Sequence, residues 1–154
     1  MSDEERFRHA LGEYATGVAV VTFLNHNGAA IGLTVNSFTS LSLQPPLILW
    51  CLDNLSEWYS QMKLGLAFAI NVLASDQRDI AERFAEPHPD RFDGILTESG
   101  LADLPLVKNA LATFECVVEE MHKGGDHLII IGRVAQFQSG DGSPLIFQRG
   151  VYLE

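Results

Sequence analysis

Val18-Ala19-Val20-Val21-Thr22-Phe23-Leu24-Asn25, then Asn27-Gly28, then Ala29-Ala30-Ile31-Gly32-Leu33-Thr34-Val35, is the stretch that decides the fold. Two runs rich in β-branched residues flank an Asn-Gly pair, and Asn-Gly tolerates the positive φ that a tight hairpin turn demands. A β-hairpin is therefore expected here. Downstream, Pro45-Pro46 cannot sit inside a paired strand and marks the entrance to Leu47-Ile48-Leu49-Trp50-Cys51-Leu52, an apolar run that reads as a strand buried on both faces. Ala67–Leu73 is a further strand. Ala112, Phe114, Cys116 and Val118 alternate as a half-buried strand does. Lys123-Gly124-Gly125-Asp126 turns the chain into a long strand from about His127 to Gln138, and Ser139–Gly142 is another turn before Leu145-Ile146-Phe147.

Helical signals are few. Ser2 and Glu5 form a capping box ahead of Phe7, Ala10, Leu11 and Tyr14, with Gly17 as a stop. Ser56–Leu64 reads as a short helix closed by Gly65, and Ser75 opens another through Phe84, before the polar, proline-bearing loop Glu86–Gly94. Six or seven strands arranged as hairpins, without βαβ alternation, predict a mainly β, antiparallel barrel with a few peripheral helices. No Gly-x-Gly-x-x-Gly follows the first strand, which also disfavours a doubly wound sheet.

The chain has 154 residues, 47% of them hydrophobic, enough for one domain with its own core over residues 1–154. Twenty acidic against ten basic residues give a formal charge of −10. Such a chain lacks the basic face that grips a phosphate backbone and is repelled by anionic membranes, so neither nucleic acid nor membrane is an expected partner. The N-terminus has no basic region leading into an apolar run, no stretch reaches membrane-spanning length, and the two cysteines, Cys51 and Cys116, sit in apolar runs as reduced thiols. A cytoplasmic location is expected.

Familiar catalytic constellations are absent: there is no Gly-x-Ser-x-Gly elbow, no P-loop and no apolar-flanked carboxylate pair. His122, Asp126 and His127 flank a Gly-Gly turn, but a metal site needs three or four converging donors and no second cluster supplies them. His9 and His26 read as solvated. The unusual segment is Gly32-Leu33-Thr34-Val35-Asn36-Ser37-Phe38-Thr39-Ser40-Leu41-Ser42, with hydroxyl side chains crowded just before the Pro-Pro entrance. It can present hydroxyls and backbone N–H groups to a ligand, or be an ordinary loop with local side-chain-to-backbone bonds.

Gly32–Leu52, preceded by Phe7–Thr22, closely resembles the short-chain flavin reductases, the small partners of two-component flavin monooxygenases, and the likeness continues through Asn71–Ala85, Asp90–Gly94, Gly125-Asp126-His127 and Phe147–Tyr152. The resemblance implies an FMN-binding split β-barrel, antiparallel and Greek-key-like. It implies hydride transfer from NADH or NADPH to FMN or FAD, with reduced flavin passed to a partner oxygenase. It also implies a homodimer with the flavin near the interface. By the same likeness Thr34, Val35, Asn36 and Ser37 line the flavin, and Cys51, Leu52 and Asp53 end a strand beside its ring. Ser56 faces the phosphate from a helix start, Phe84 and Arg91 close the phosphate or ring side, and His127 and Tyr152 contact the nicotinamide nucleotide. No side chain is expected to act as an acid, base or nucleophile, because the cofactors carry the chemistry and the protein positions them. Two other readings stay open: a relative of pyridoxamine-phosphate oxidase sharing the barrel, and a flavin-binding electron carrier without turnover.

Overall fold

A computed structural model describes residues 1–87 and 91–153. In chain order the elements are α1 (Asp3–Gly12), β1 (Thr16–Gly17), β2 (Ala19–Leu24), β3 (Ala30–Val35), β4 (Thr39–Ser42), β5 (Leu47–Asp53), β6 (Ala67–Val72), α2 (Arg78–Ala85), β7 (Thr97–Ser99), β8 (Pro105–Val107), β9 (Ala112–Gly124), β10 (His127–Ser139), β11 (Ile146–Gln148) and β12 (Val151–Leu153). The expected hairpin is present as β2 and β3, paired from Ala19 opposite Val35 to Leu24 opposite Ala30. Its turn is held by the Asn25 carboxamide oxygen, which accepts from the N–H groups of Asn27 and Ala29 at 2.9 Å, while Gly28 takes φ 79°.

The main sheet has seven strands in the order β3-β2-β6-β9-β10-β5-β4, with antiparallel pairing throughout. Its edge strands, β3 and β4, are joined by only Asn36, Ser37 and Phe38. Three residues let the Cα atoms of Val35 and Thr39 stand at most about 14 Å apart. The edges of a flat seven-stranded sheet would be about 29 Å apart. The sheet must therefore curl into a barrel. No ladder joins β3 to β4 among the described residues, so the barrel is split along the segment that carries the hydroxyls.

The two-residue period of the strands feeds two cores. Ala19, Val21 and Phe23 of β2 point into the barrel with Ile48, Trp50, Leu52, Phe68, Ile70, Cys116, Leu128 and Ile130. Val18 and Val20 point outward and are covered by α2 and the C-terminal strands through Ala81, Phe84, Leu73, Val107 and Leu145. On that outer face a polar staple fixes β8: Thr22 Oγ1 donates to Pro105 O at 2.7 Å, and Asn71 Oδ1 accepts from Val107 N at 2.9 Å. Asn71 Nδ2 completes it by donating to Val20 O at 2.9 Å.

Several boundaries differ from the sequence expectation. Ser56–Leu64 forms no α-helix, only a 3₁₀ turn at Tyr59–Gln61. Nine residues nucleate poorly alone, and Trp58 is drawn edge-on against Phe23, ring centroids 6.1 Å apart. The second helix starts at Arg78 rather than Ser75, because Ser75 is tied by its N–H to Ser143 O at 2.8 Å. Gln77 meanwhile accepts from Ala74 N through Oε1 and donates to Lys108 O through Nε2, each at 2.9 Å. The first helix ends at Gly12, not Gly17, and buries none of its side chains; Phe7, Leu11 and Tyr14 remain exposed. The strand after Leu111 runs on to Gly124, and β7, β8 and β12 went unseen in the sequence. No helix among the described residues is long and apolar enough to cross a membrane.

Candidate ligand groove at the barrel split

Where β3 leaves the barrel wall, Ser37 falls opposite Cys51 in the register that sets Thr39 opposite Leu49. The main-chain ladder between β4 and β5 reaches no further than Leu49, and a side chain takes over: Ser37 Oγ accepts from Cys51 N at 3.0 Å. The same hydroxyl lies 3.4 Å from Cys51 O, to which it donates. Three residues earlier Thr34 Oγ1 donates to Ala81 O of α2 at 2.7 Å. Both hydroxyls of this stretch are thus committed to holding the split in shape, one to each side.

Between these anchors lies a groove of about 200 Å³ lined by Val18, Thr34, Val35, Asn36, Ala85, Phe147 and Tyr152. Phe147 and Tyr152 pack with ring centroids 5.2 Å apart. Asn36 and Phe147 also border a larger cleft of about 660 Å³ beneath α1, which reaches Tyr14, Thr16 and Arg149. Thr16 Oγ1 is buried there without a hydrogen-bond partner among the described residues. α1 is fastened across this cleft by Arg149, whose Nη2 and Nε donate to Glu13 Oε2 at 2.7 and 2.9 Å. That pairing holds the Glu13 carboxyl below its ordinary range. Ligand pockets usually span about 300–1,000 Å³; the groove reaches that only together with the cleft it opens into.

The expected site residues divide into three groups. Thr34, Val35 and Asn36 line the groove together with Tyr152, although Tyr152 lies more than a hundred residues further along the chain. A second group sits at the far end of β5, where Asp53 pairs in register with His127. His127 Nδ1 lies 2.7 Å from Asp126 Oδ1, and this bond lowers the Asp126 pKa. Asp53 Oδ1 accepts from Leu55 N at 2.8 Å, and Asn54 Nδ2 donates to Gly125 O at 3.1 Å, clamping the two turns together. His127 does not line the Thr34–Tyr152 groove.

The third group serves the scaffold. Leu52 is 5% exposed and points into the barrel, so only its main chain is available to a ligand. Phe84 is 2% exposed, packed edge-on against Phe92 at 4.9 Å, which makes it a wall of the outer core rather than an open face. Ser56 precedes a single 3₁₀ turn, too short to offer a helix dipole to a phosphate, and its Oγ accepts from Trp58 N at 3.2 Å. Arg91 Nη1 donates to Gly32 O at 3.0 Å, pinning the loop after α2 to β3. Cys51 is half-buried and burial pushes its thiol up; the Cys116 thiol is pushed up to about 12 by burial and by Glu115 beside it. Among the described residues no cluster of His, Cys, Asp or Glu is arranged to hold a metal ion. Phe147 and Thr16 were not foreseen as site residues; both lie in stretches that carry the resemblance, but only folding brings them to Asn36.

Residues 11–154 match the family model of the flavin reductase like domain. Over 97% of its length the chain is 43% identical to a Rhizobium meliloti (strain 1021) protein carrying the name "Probable flavin reductase", and spans about half, 48%, of that relative's length. It is 39% identical, over 97% of this chain and 77% of the relative, to the flavin-dependent monooxygenase reductase subunit HsaB of Rhodococcus jostii (strain RHA1). Among solved structures, the NADH:FAD oxidoreductase SgcE6 of Streptomyces globisporus C-1027, in complex with NAD and FAD fragments, superimposes with a TM-score of 0.92. The identity there is 33%, over 99% of this chain and 92% of that one.

Proposed function

The chain belongs to the flavin reductase-like domain family, and on that premise we propose that it oxidises NADH and reduces FMN or FAD, acting as the reductase component of a two-component flavin monooxygenase. The observation that carries this reading is the groove at the barrel split. A flat heteroaromatic ring needs apolar or aromatic walls and a few polar groups at its edge. Val35, Ala85, Phe147 and Tyr152 supply the walls and Asn36 the edge. Thr16 Oγ1, buried in the adjoining cleft without a partner among the described residues, is a hydrogen-bonding group that a polar ligand would satisfy. The residues present therefore fit a flavin.

When bound, the flavin supplies the accepting ring: one hydride leaves the nicotinamide, oxidising NADH to NAD⁺, and with one proton yields reduced flavin. The chain's own residues position and shield. Thr34, through Ala81, fixes the groove wall against α2, and Ser37, through Cys51, fixes the other lip. Backbone N–H groups along Asn36–Ser37 would stabilise negative charge growing on a reduced ring held there; the Cys51 N–H is already given to Ser37 Oγ. His127, oriented by Asp126, and Tyr152 are assigned to the nicotinamide nucleotide. His127 does not line the groove that Tyr152 lines, which supports assembly as a homodimer in which a second copy brings the two together. The uncovered face of α1, with Phe7 66% and Tyr14 80% exposed, supports the same assembly.

The test is direct. Protein mixed with NADH and free FMN or FAD will consume the nicotinamide absorbance in proportion to protein added. Flavin binding without NADH consumption would select the electron-carrier reading. A monomer by light scattering at micromolar concentration would remove the shared-site arrangement.

A further inference from the structure

One wall of the groove is a residue that the family resemblance had already singled out. Tyr152 lies on β12, near the end of the chain, yet its ring is half-buried. One side of it is fixed by Phe147. Over it stands the Arg78 guanidinium, Cζ 5.5 Å from the ring centroid. Arg78 is itself braced, because its Nε donates to Glu82 Oε1 one helical turn on, at 2.7 Å. α2 thus grips both sides of the groove: Ala81 O takes the Thr34 hydroxyl, and Arg78 caps the tyrosine ring. We propose that Arg78 is a positioning residue that sets the orientation of the Tyr152 ring at the groove, and that through it α2 governs how well the nicotinamide nucleotide fits. The functional half of this rests on the assignment of Tyr152 to that nucleotide.

The physical ground is the ring quadrupole. A guanidinium over an aromatic face is held by it, planar against planar, and a lysine ammonium reproduces the charge without the stacking. The braced arrangement leaves the tyrosine one preferred orientation, so the nucleotide meets a preformed wall instead of ordering it on binding. Among the described residues the charged groups bearing on the phenol are both on α2: Glu82 raises its pKa and Arg78 lowers it, beneath the dominant upward push of burial.

Five variants of the full chain test this: Arg78→Met, which keeps length and loses charge, Arg78→Lys, Glu82→Gln, Tyr152→Ala and Tyr152→Phe. The Arg78 side chain is about half exposed, so these variants are expected to fold, which an unchanged thermal midpoint verifies. Arg78→Met should raise KM for NADH about three-fold, more than it raises KM for the flavin, with Arg78→Lys between it and the parent. Independently of activity, the tyrosinate absorbance titration, with Tyr152→Phe subtracted to isolate one phenol among three tyrosines, should move up in pH for Arg78→Met and down for Glu82→Gln. If Tyr152→Ala raises KM for NADH while Arg78→Met changes neither KM nor the titration, Arg78 does not position the ring and the proposal is overturned. If Tyr152→Ala leaves KM for NADH unchanged, the nucleotide assignment itself falls and the functional half goes with it. The titration then still reports whether Arg78 holds the ring.

Discussion

Phe84 packs directly against Gly32: a Cβ built at Gly32 would stand 2.6 Å from the Cδ1 and Cε1 atoms of the phenyl ring. The missing side chain is what lets α2 lie against β3, and the same helix then supplies Ala81 O to Thr34 and Arg78 to Tyr152. Gly32→Ala should destabilise the fold by about 1–3 kcal/mol through overpacking, and Phe84→Ala by about 3–5 kcal/mol through the cavity it leaves. Urea midpoints measure both. If Phe84→Ala proved neutral in stability yet abolished flavin binding, Phe84 would be a ligand contact and not a packing residue.

The Ser37 hydroxyl continues the ladder of β5 past the end of β4. Ser37→Ala leaves the Cys51 N–H without that partner, and a half-buried donor so stranded costs about 1–2 kcal/mol. A drop of that size in unfolding free energy, with weakened flavin binding in a fluorescence titration, is expected. Stability lost with flavin affinity intact would separate the seam from the ligand site.

His127 and Asp126 stand apart from the groove on their own turn. His127→Ala should raise KM for NADH more than KM for flavin, and Asp126→Asn should do the same more weakly, because it loosens the ring without removing it. Unchanged steady-state constants for the dinucleotide in His127→Ala would sink the assignment.

Acid should loosen α1 before the barrel. Glu13 is held by Arg149 below the ordinary value of 4.5, so the folded state keeps this carboxylate charged where the unfolded chain would protonate it. The bond's contribution is complete above pH 4.5 and is lost as the pH falls through the depressed folded value. The difference in thermal midpoint between the parent and Glu13→Gln should therefore be greatest near neutrality and shrink on acidification. A difference that grew with acid would contradict the sign.

Neither thiol is poised to react. Only the thiolate is nucleophilic, and the Cys116 thiol, fully buried, is pushed up to about 12. Native protein exposed to iodoacetamide near neutral pH should keep Cys116 unmodified and alkylate Cys51 slowly. Mass spectrometry of the digest reads both, and rapid labelling of Cys116 would mean the barrel opens.

Much was legible along the chain because it is local. Asn25–Gly28 announced its hairpin through turn chemistry that four residues contain. Ser2 announced α1 through a capping bond to Glu5 N at 3.1 Å. The resemblance carried the family and drew attention to Thr34–Ser37. Other things are not written locally. Ser56 looked like a helix start, but the pull of Trp58 onto Phe23 outweighs the weak propensity of a nine-residue segment. Phe84 was assigned to the ligand by the resemblance alone, and whether it faces solvent depends on Gly32, far away in sequence.

By itself, then, the sequence determined the strand and hairpin pattern, the acidic balance and the family, since periodicity, turn residues and motif are properties of neighbouring residues. Only the tertiary structure decided that three residues must close a seven-stranded sheet, that the hydroxyls there hold its edges, and that Phe147 and Tyr152 border the groove with Arg78 over the tyrosine ring. Those outcomes depend on contacts between residues dozens of positions apart, whose energies appear only once the barrel has closed.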